Sequence, residues 1–205
     1  HRVDRRQRQM CIRDRDFRVV AKTPESEEIT SFLLAPVDGG AVLLQQPGQY
    51  IGLRMVIDGQ EQRRNYSLSA QGDGRQYRIS VKREAEGKVS NYLHDHIQVG
   101  DTLELFPPAG DFVLRPSSKP LALITAGVGI TPALAMLEAA RDSGRPIHFI
   151  HYARHGGVHA FKQWIEAQSR DCPQISYRFC YSDPRDGDQP HAQGVGLITL
   201  SLIHI

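Results

Sequence analysis

Cysteine is scarce in this chain. Cys11, Cys172 and Cys180 are the three in 205 residues, and no C-x-x-C pair occurs. An odd number without that spacing indicates no disulfide framework, and no iron–sulfur or zinc site. It suits a reducing compartment, and a cytoplasmic location is expected. Long apolar runs are missing as well. None reaches the roughly 18 residues that a membrane span needs. The first residues also lack the apolar stretch of a secretory leader. No sign of charge dominates: 25 Lys and Arg against 23 Asp and Glu leave +2. That is too little to argue for nucleic acid or an anionic surface as a partner. No H-E-x-x-H or carboxylate cluster completes a ligand set. His94, His96, His148, His151, His155 and His159 are therefore expected to be ordinary surface or core residues, and no metal is expected.

What is present is an ordinary globular composition, 40% hydrophobic and 23% charged, long enough for one large domain or two small ones. Both ends stand apart. Residues 1–15 hold six Arg and two Asp, a contribution of +4 that leaves −2 for the other 190. They show no helical or strand period. Residues 200–205 break off inside an apolar run. Both ends look like translated adapter sequence foreign to the fold, and are set aside.

From Asp16 to Arg115 the signals are mostly strand. Strands are expected at Phe17–Lys22, Ile29–Ala35, Tyr50–Ile57, Arg64–Ala70, Tyr77–Lys82, Thr102–Phe106 and Phe112–Leu114. Asp58-Gly59 reads as a hairpin turn. Many short strands with Gly-rich turns favour a closed antiparallel barrel of Greek-key type. One helix, Val89–His96, interrupts it. After residues 116–118 the pattern changes. Leu121–Thr125 is a continuous apolar run, as expected for a strand buried on both faces; Ile147–Ala153 is expected as a second buried strand and Ile175–Tyr181 as a third strand. Helices over Pro132–Ser143 and Ala160–Ser169 alternate with them, and Gly144 suits a helix end. Strand and helix in alternation predict a parallel α/β sheet over residues 119–199.

Three segments could carry chemistry. Gly127-Val128-Gly129-Ile130-Thr131-Pro132 forms the turn from the first parallel strand into its helix, at the sheet edge where such folds bind ligands. Glycines there let backbone approach a diphosphate, and the helix N-terminus offers free N–H groups. The full G-x-G-x-x-G fingerprint is not met, because Pro132 takes its third glycine. A tight turn with no ligand reads equally well. Arg64-Asn65-Tyr66-Ser67 offers a guanidinium for a diphosphate, a ring to stack on a flat ligand and a hydroxyl for a ring nitrogen. An edge strand with a surface Arg would look the same. Gly87-Lys88-Val89-Ser90-Asn91 opens the barrel's helix and could seat phosphate, or simply be an ordinary cap.

Together and in this order, these segments resemble the ferredoxin-reductase-like superfamily, whose FAD site carries R-x-Y-S and whose nicotinamide site carries G-V-G-I-T-P. Asp16 to Pro24, Pro36 to Gly40, Pro47 to Tyr50, Val81 to Glu84, Val89 to His94, Pro107 to Phe112 and Val158 to Phe161 are similar to the reductase half of flavohaemoglobins. The resemblance runs from about Asp16 to about Thr199. It implies that Arg64 holds the FAD diphosphate and Tyr66 packs on the isoalloxazine. Ser67 would lie near flavin N5, where hydride arrives, and Tyr50 would line the pocket. It also implies that residues 127–132 carry NAD(P)H. Electrons would pass from NAD(P)H through FAD to the haem of a globin domain, which would turn nitric oxide and oxygen into nitrate.

Two departures from that family are expected. The globin half is absent before Asp16, so haem belongs outside this chain. The C-terminal part is absent too, with its fourth and fifth strands, and the nucleotide-binding half is read as truncated. The sequence leaves NADH and NADPH open. A reductase for an oxygenase or ferredoxin is the alternative enzyme. A flavin-binding module without turnover is the alternative of another class.

Overall fold

A computed structural model describes residues 14–188 and the backbone of 192–195. The tail expected over residues 200–205 lies outside them. Six strands build the first unit: β1 (Arg15–Pro24), β2 (Ile29–Pro36), β3 (Tyr50–Ile57), β4 (Gln60–Ser67), β5 (Tyr77–Lys82) and β6 (Thr102–Leu105). They pair antiparallel in the order β4-β3-β6-β1-β2-β5. A bridge between Leu68 and Ile79 brings the two outer strands together and closes the barrel. Asp58 and Gly59 have φ of 52° and 72°, the pair of left-handed residues a two-residue hairpin turn requires. Phe17, Val19, Phe32, Leu34, Ile51 and Leu53 alternate inward and meet in the barrel core. The barrel's helix α1 (Lys88–Asp95) adds Val89 and Leu93 to that core.

Three expectations shift. Arg15 belongs to β1 rather than to the tail: it pairs with Leu105 and its guanidinium engages Asp38. The strand opened at Gln60 is already complete at Ser67, so Leu68 to Ala70 turn across to β5. Phe112–Leu114 is not a strand. Its only ladder-like bond runs from the Leu114 N–H to the Pro47 carbonyl, 2.9 Å, and Phe112 is 71% exposed. Apolar residues without an available neighbouring strand have nothing to pair with.

The second unit holds β7 (Leu121–Ala126), β8 (Ile147–Ala153), β9 (Ile175–Tyr181) and β10 (Ala192–Val195), parallel in the order β10-β9-β8-β7. Helices α2 (Ile130–Ala140) and α3 (Lys162–Asp171) pack Leu134, Leu137 and Ile165 against Leu123, Phe149 and Phe179. Gly144 ends the first helical segment with φ 73°. The expected burial of both sheet faces does not hold for β7. Leu123 is buried, whereas Ala122, Ala126 and Ile124 are exposed, Ile124 by 54%. Both described helices lie on the Leu123 side. Among the described residues, β7 pairs only with β8, so its other edge is open.

Several contacts join the two units. Ile29, at the start of β2, joins the second unit's core. Arg78 lies over the Phe161 ring at 5.4 Å. The Gln71 N–H donates to the Glu138 carboxylate at 2.6 Å.

Candidate functional site

Docking creates a cavity of about 400 Å³ whose wall comes from both units, a size typical of small-molecule sites. Its barrel side begins at the end of β4. Arg64, Asn65, Tyr66 and Ser67 all contribute. Four consecutive residues of a regular strand cannot share one face. β4 stays in regular register with β3 through Ser67, so the four line the cavity with alternating side chains rather than from one face. Arg64 makes no ion pair with any described carboxylate. Its guanidinium donates to the Arg63 carbonyl, 2.7 Å, and is otherwise available to an anion. Burial pushes the Tyr66 phenol up to about 12, so it stays neutral and offers an uncharged flat surface.

The start of α1 forms the next stretch of wall, through Gly87, Val89 and Ser90. No side chain caps this helix. Ser90 turns back instead: its hydroxyl donates to the Gly87 carbonyl, 3.0 Å, and accepts from the Glu84 N–H, 3.2 Å. The first N–H groups of the helix are thus left for a ligand. A Cβ at Gly87 would run into that hydroxyl and into the Glu84 side chain.

The opposite wall is the strand-to-helix turn after β7, through Val128, Gly129, Thr131 and Pro132. Its two glycines differ. Gly127 has φ +49°, the left-handed region that favours glycine. Gly129 has φ −61°, and a Cβ there would meet no atom within 4 Å. The fold does not require glycine at 129, whereas a ligand needing close backbone approach would. Thr131 donates from its hydroxyl to the Val128 carbonyl, 3.0 Å, which stabilises the turn.

A second cavity of about 370 Å³ adjoins the first, and Lys82 and Val128 belong to both. It lies over the carboxyl ends of β7 and β8 and is lined by Gly127, Tyr152 and Arg154, with Glu28 from the barrel. Such a position suits the far half of a dinucleotide.

Four anticipated residues lie off the first cavity. Tyr50 pairs with Ser67 across the sheet, and its ring packs beneath Gly110. Lys88 forms an ion pair with Asp58, 3.1 Å. Ile130 is fully buried in the second unit's core. Gly127 lines the adjoining cavity. Ser80, Lys82 and Glu84 complete the first wall without having been singled out as site residues. The two-residue alternation along β5 was the available signal, since it puts Ser80 and Lys82 on one face.

The histidines gather elsewhere. His151 and His159 are buried with ring centroids 4.6 Å apart. His151 shares a hydrogen bond with the Thr125 hydroxyl, 2.7 Å, and His159 with the Tyr181 hydroxyl, 2.9 Å. Burial pulls them down to about 4 and about 2 respectively, so both are neutral packing groups. Among the described residues no three His, Cys, Asp or Glu side chains are placed to hold a metal ion. No described helix is long and apolar enough to cross a membrane.

Residues 16–114 match the family model of the oxidoreductase FAD-binding domain. The flavohemoprotein of Pseudomonas aeruginosa is 68% identical over 181 residues, which are 88% of this chain and 46% of that protein. The chain therefore spans about half the length of the curated relatives it matches. The flavohem-like FAD/NAD-binding domain of nitric oxide dioxygenase from Vibrio cholerae is 39% identical, with a TM-score of 0.84, over 92% of this chain and 81% of that one. A flavohemoglobin from Malassezia yamatoensis, solved with bound FAD and heme, is 25% identical with a TM-score of 0.82, over 94% of this chain and 50% of that one. A shared barrel, a shared parallel sheet and 39% identity over most of an isolated FAD/NAD-binding domain lead to one assignment: this chain belongs to the flavohaemoglobin family, as its ferredoxin-reductase-like reductase half.

Proposed function

We propose that the chain binds FAD in the cavity between β4, α1 and the 127–132 turn, binds NAD(P)H along that turn, and passes electrons to the haem of a globin domain in its parent protein. The observation that carries this reading is the joint wall. A free guanidinium, a neutral aromatic surface, an uncapped helix start and a glycine turn with open space face one cavity. Such groups fit a flavin dinucleotide with a nicotinamide ring beside it. When bound, FAD supplies the conversion of a hydride into single electrons.

The chain's own residues have separable tasks. Arg64 and the first N–H groups of α1 hold the diphosphate charge. Tyr66 supports the flat ring. The Ser67 hydroxyl, at the end of β4, orients the ring edge that receives hydride. Gly129 leaves room for the nicotinamide dinucleotide, with Val128 and Thr131 shaping the turn. In the parent, the haem would carry out the nitric oxide dioxygenation named for the Vibrio cholerae relative. Cys172 and Cys180, free and buried, suit the cytoplasm.

The alternatives are a reductase for an oxygenase or ferredoxin, and a flavin-binding module without turnover. Purification followed by anaerobic titration with NADH separates these classes. A yellow preparation bleached by NADH supports the reductase. A yellow preparation that NADH leaves unchanged favours the binding module. A colourless chain that takes up no added FAD refutes the assignment of the cavity.

A further inference from the structure

The second cavity contains an ion-pair arrangement that bears on which nicotinamide cofactor fits. In an open parallel sheet the dinucleotide diphosphate lies at the first glycine turn. The adenosine ribose lies over the end of the next strand, where a carboxylate suits a 2′-hydroxyl and an Arg suits a 2′-phosphate. Here that strand is β8, and Arg154 follows it directly. On its own strand Arg154 would invite a phosphate. The fold does not leave it alone: the Glu28 carboxylate, from the other unit and 126 residues away in sequence, is bonded to its guanidinium.

Glu28 is held in place by its neighbours. Its N–H and that of Ile29 donate to the Ser26 hydroxyl at 3.3 and 3.1 Å. The Arg83 N–H donates to its carbonyl at 2.7 Å, and the Glu27 N–H donates to the Gly157 carbonyl at 2.9 Å. Lys82 lies 3.9 Å from Glu28 and 3.2 Å from Glu84. Two cations and two carboxylates thus close a network with no net positive charge. Arg154 is 62% exposed, and a pair so exposed adds little to stability. Its consequence is for what can approach.

Resting on the proposed dinucleotide site, we propose that Glu28 makes this chain select NADH over NADPH. A 2′-phosphate carries about −1.5 to −2 at pH 7. To reach Arg154 it would have to displace Glu28 and then remain beside that carboxylate. A 2′-hydroxyl needs no displacement, because Glu28 accepts its proton in a hydrogen bond.

Calorimetric titration of the whole chain with 5′-ADP and with 2′,5′-ADP tests this without turnover. The unaltered chain should bind 2′,5′-ADP no tighter than 5′-ADP. Glu28→Gln should shift the ratio toward 2′,5′-ADP by about tenfold, since one charged hydrogen-bonding partner becomes available. Glu28→Asp should restore the original preference, and Arg154→Ala added to Glu28→Gln should abolish the gain. Tighter binding of 2′,5′-ADP by the unaltered chain, or an unchanged ratio in Glu28→Gln, overturns the role of Glu28 while the dinucleotide site stands. Failure of the unaltered chain to bind either nucleotide overturns the site itself, and this proposal with it.

Discussion

Gly129→Val separates a turn that the fold needs from a turn that a ligand needs. The backbone at 129 has φ −61° and ψ −7°, open to any residue, and the space around a Cβ is empty. Replacing glycine at such a site restricts the unfolded chain and stabilises by about 0.4–1 kcal/mol. Valine in place of glycine at a helix N-cap costs a comparable amount. The two nearly cancel, so the melting point should move by no more than about 4 °C. Nucleotide binding is another matter. In the proposed site the side chain would project into the cavity beside the turn, where diphosphate oxygens would approach backbone N–H groups. Loss of one charge-assisted hydrogen bond costs about 1.5–3 kcal/mol, which is roughly a 10- to 150-fold rise in Kd. Thermal melting and anaerobic NADH titration of the flavin-loaded protein read the two effects separately, and FAD content should not change. An NADH affinity within about twofold of the unaltered protein, at an unchanged melting point, would show that the turn is structural only.

Tyr66→Ala should lower FAD retention, while Ser67→Ala should slow flavin reduction more than it weakens binding; stopped-flow absorbance and flavin content measure both, and no change in either variant refutes the placement of FAD. His151 and His159 should make stability pH-dependent. Burial lowers them to about 4 and about 2, whereas in the unfolded chain each takes up a proton near 6.5. The stabilisation is complete above that value and is lost as pH falls from 6.5 toward 4, by at most about 1.4 kcal/mol per pH unit for each histidine. His151→Gln should flatten the fall in melting temperature over that range, and a melting temperature already flat in the unaltered chain would refute the assignment. The edge of β7 that no described strand pairs, beside exposed Ile124, favours self-association. Limited proteolysis should cut after about Lys119 while the barrel survives, and Ile124→Lys should raise the monomer fraction in gel filtration; a chain resistant throughout and monomeric without substitution would refute this.

Local signals carried much of the fold, for identifiable reasons. Tyr50–Ile57, Tyr77–Lys82, Ile147–Ala153 and Ile175–Tyr181 form strands with the bounds their apolar patterns suggest, because turn residues or a change of period delimit each one. Phe112–Leu114 has the same local character and forms no strand, since pairing depends on a neighbour that local pattern does not report. The Leu121–Thr125 run misled in a related way: continuous hydrophobicity says that a strand can be buried on both faces, not that a layer covers both. The cavity wall was legible where residues cluster in sequence, at 64–67, at 87, 89 and 90, and at 128, 129, 131 and 132. Their convergence was not, because it depends on how Ile29 and the Arg78–Phe161 contact seat one unit on the other. Glu28 shows the limit most clearly. In sequence it is one more acidic residue in a polar turn, and Arg154 is a lone cation after a strand. Only docking of the two units makes them one charge arrangement, so the proposed cofactor choice would depend on tertiary geometry that neither segment encodes alone.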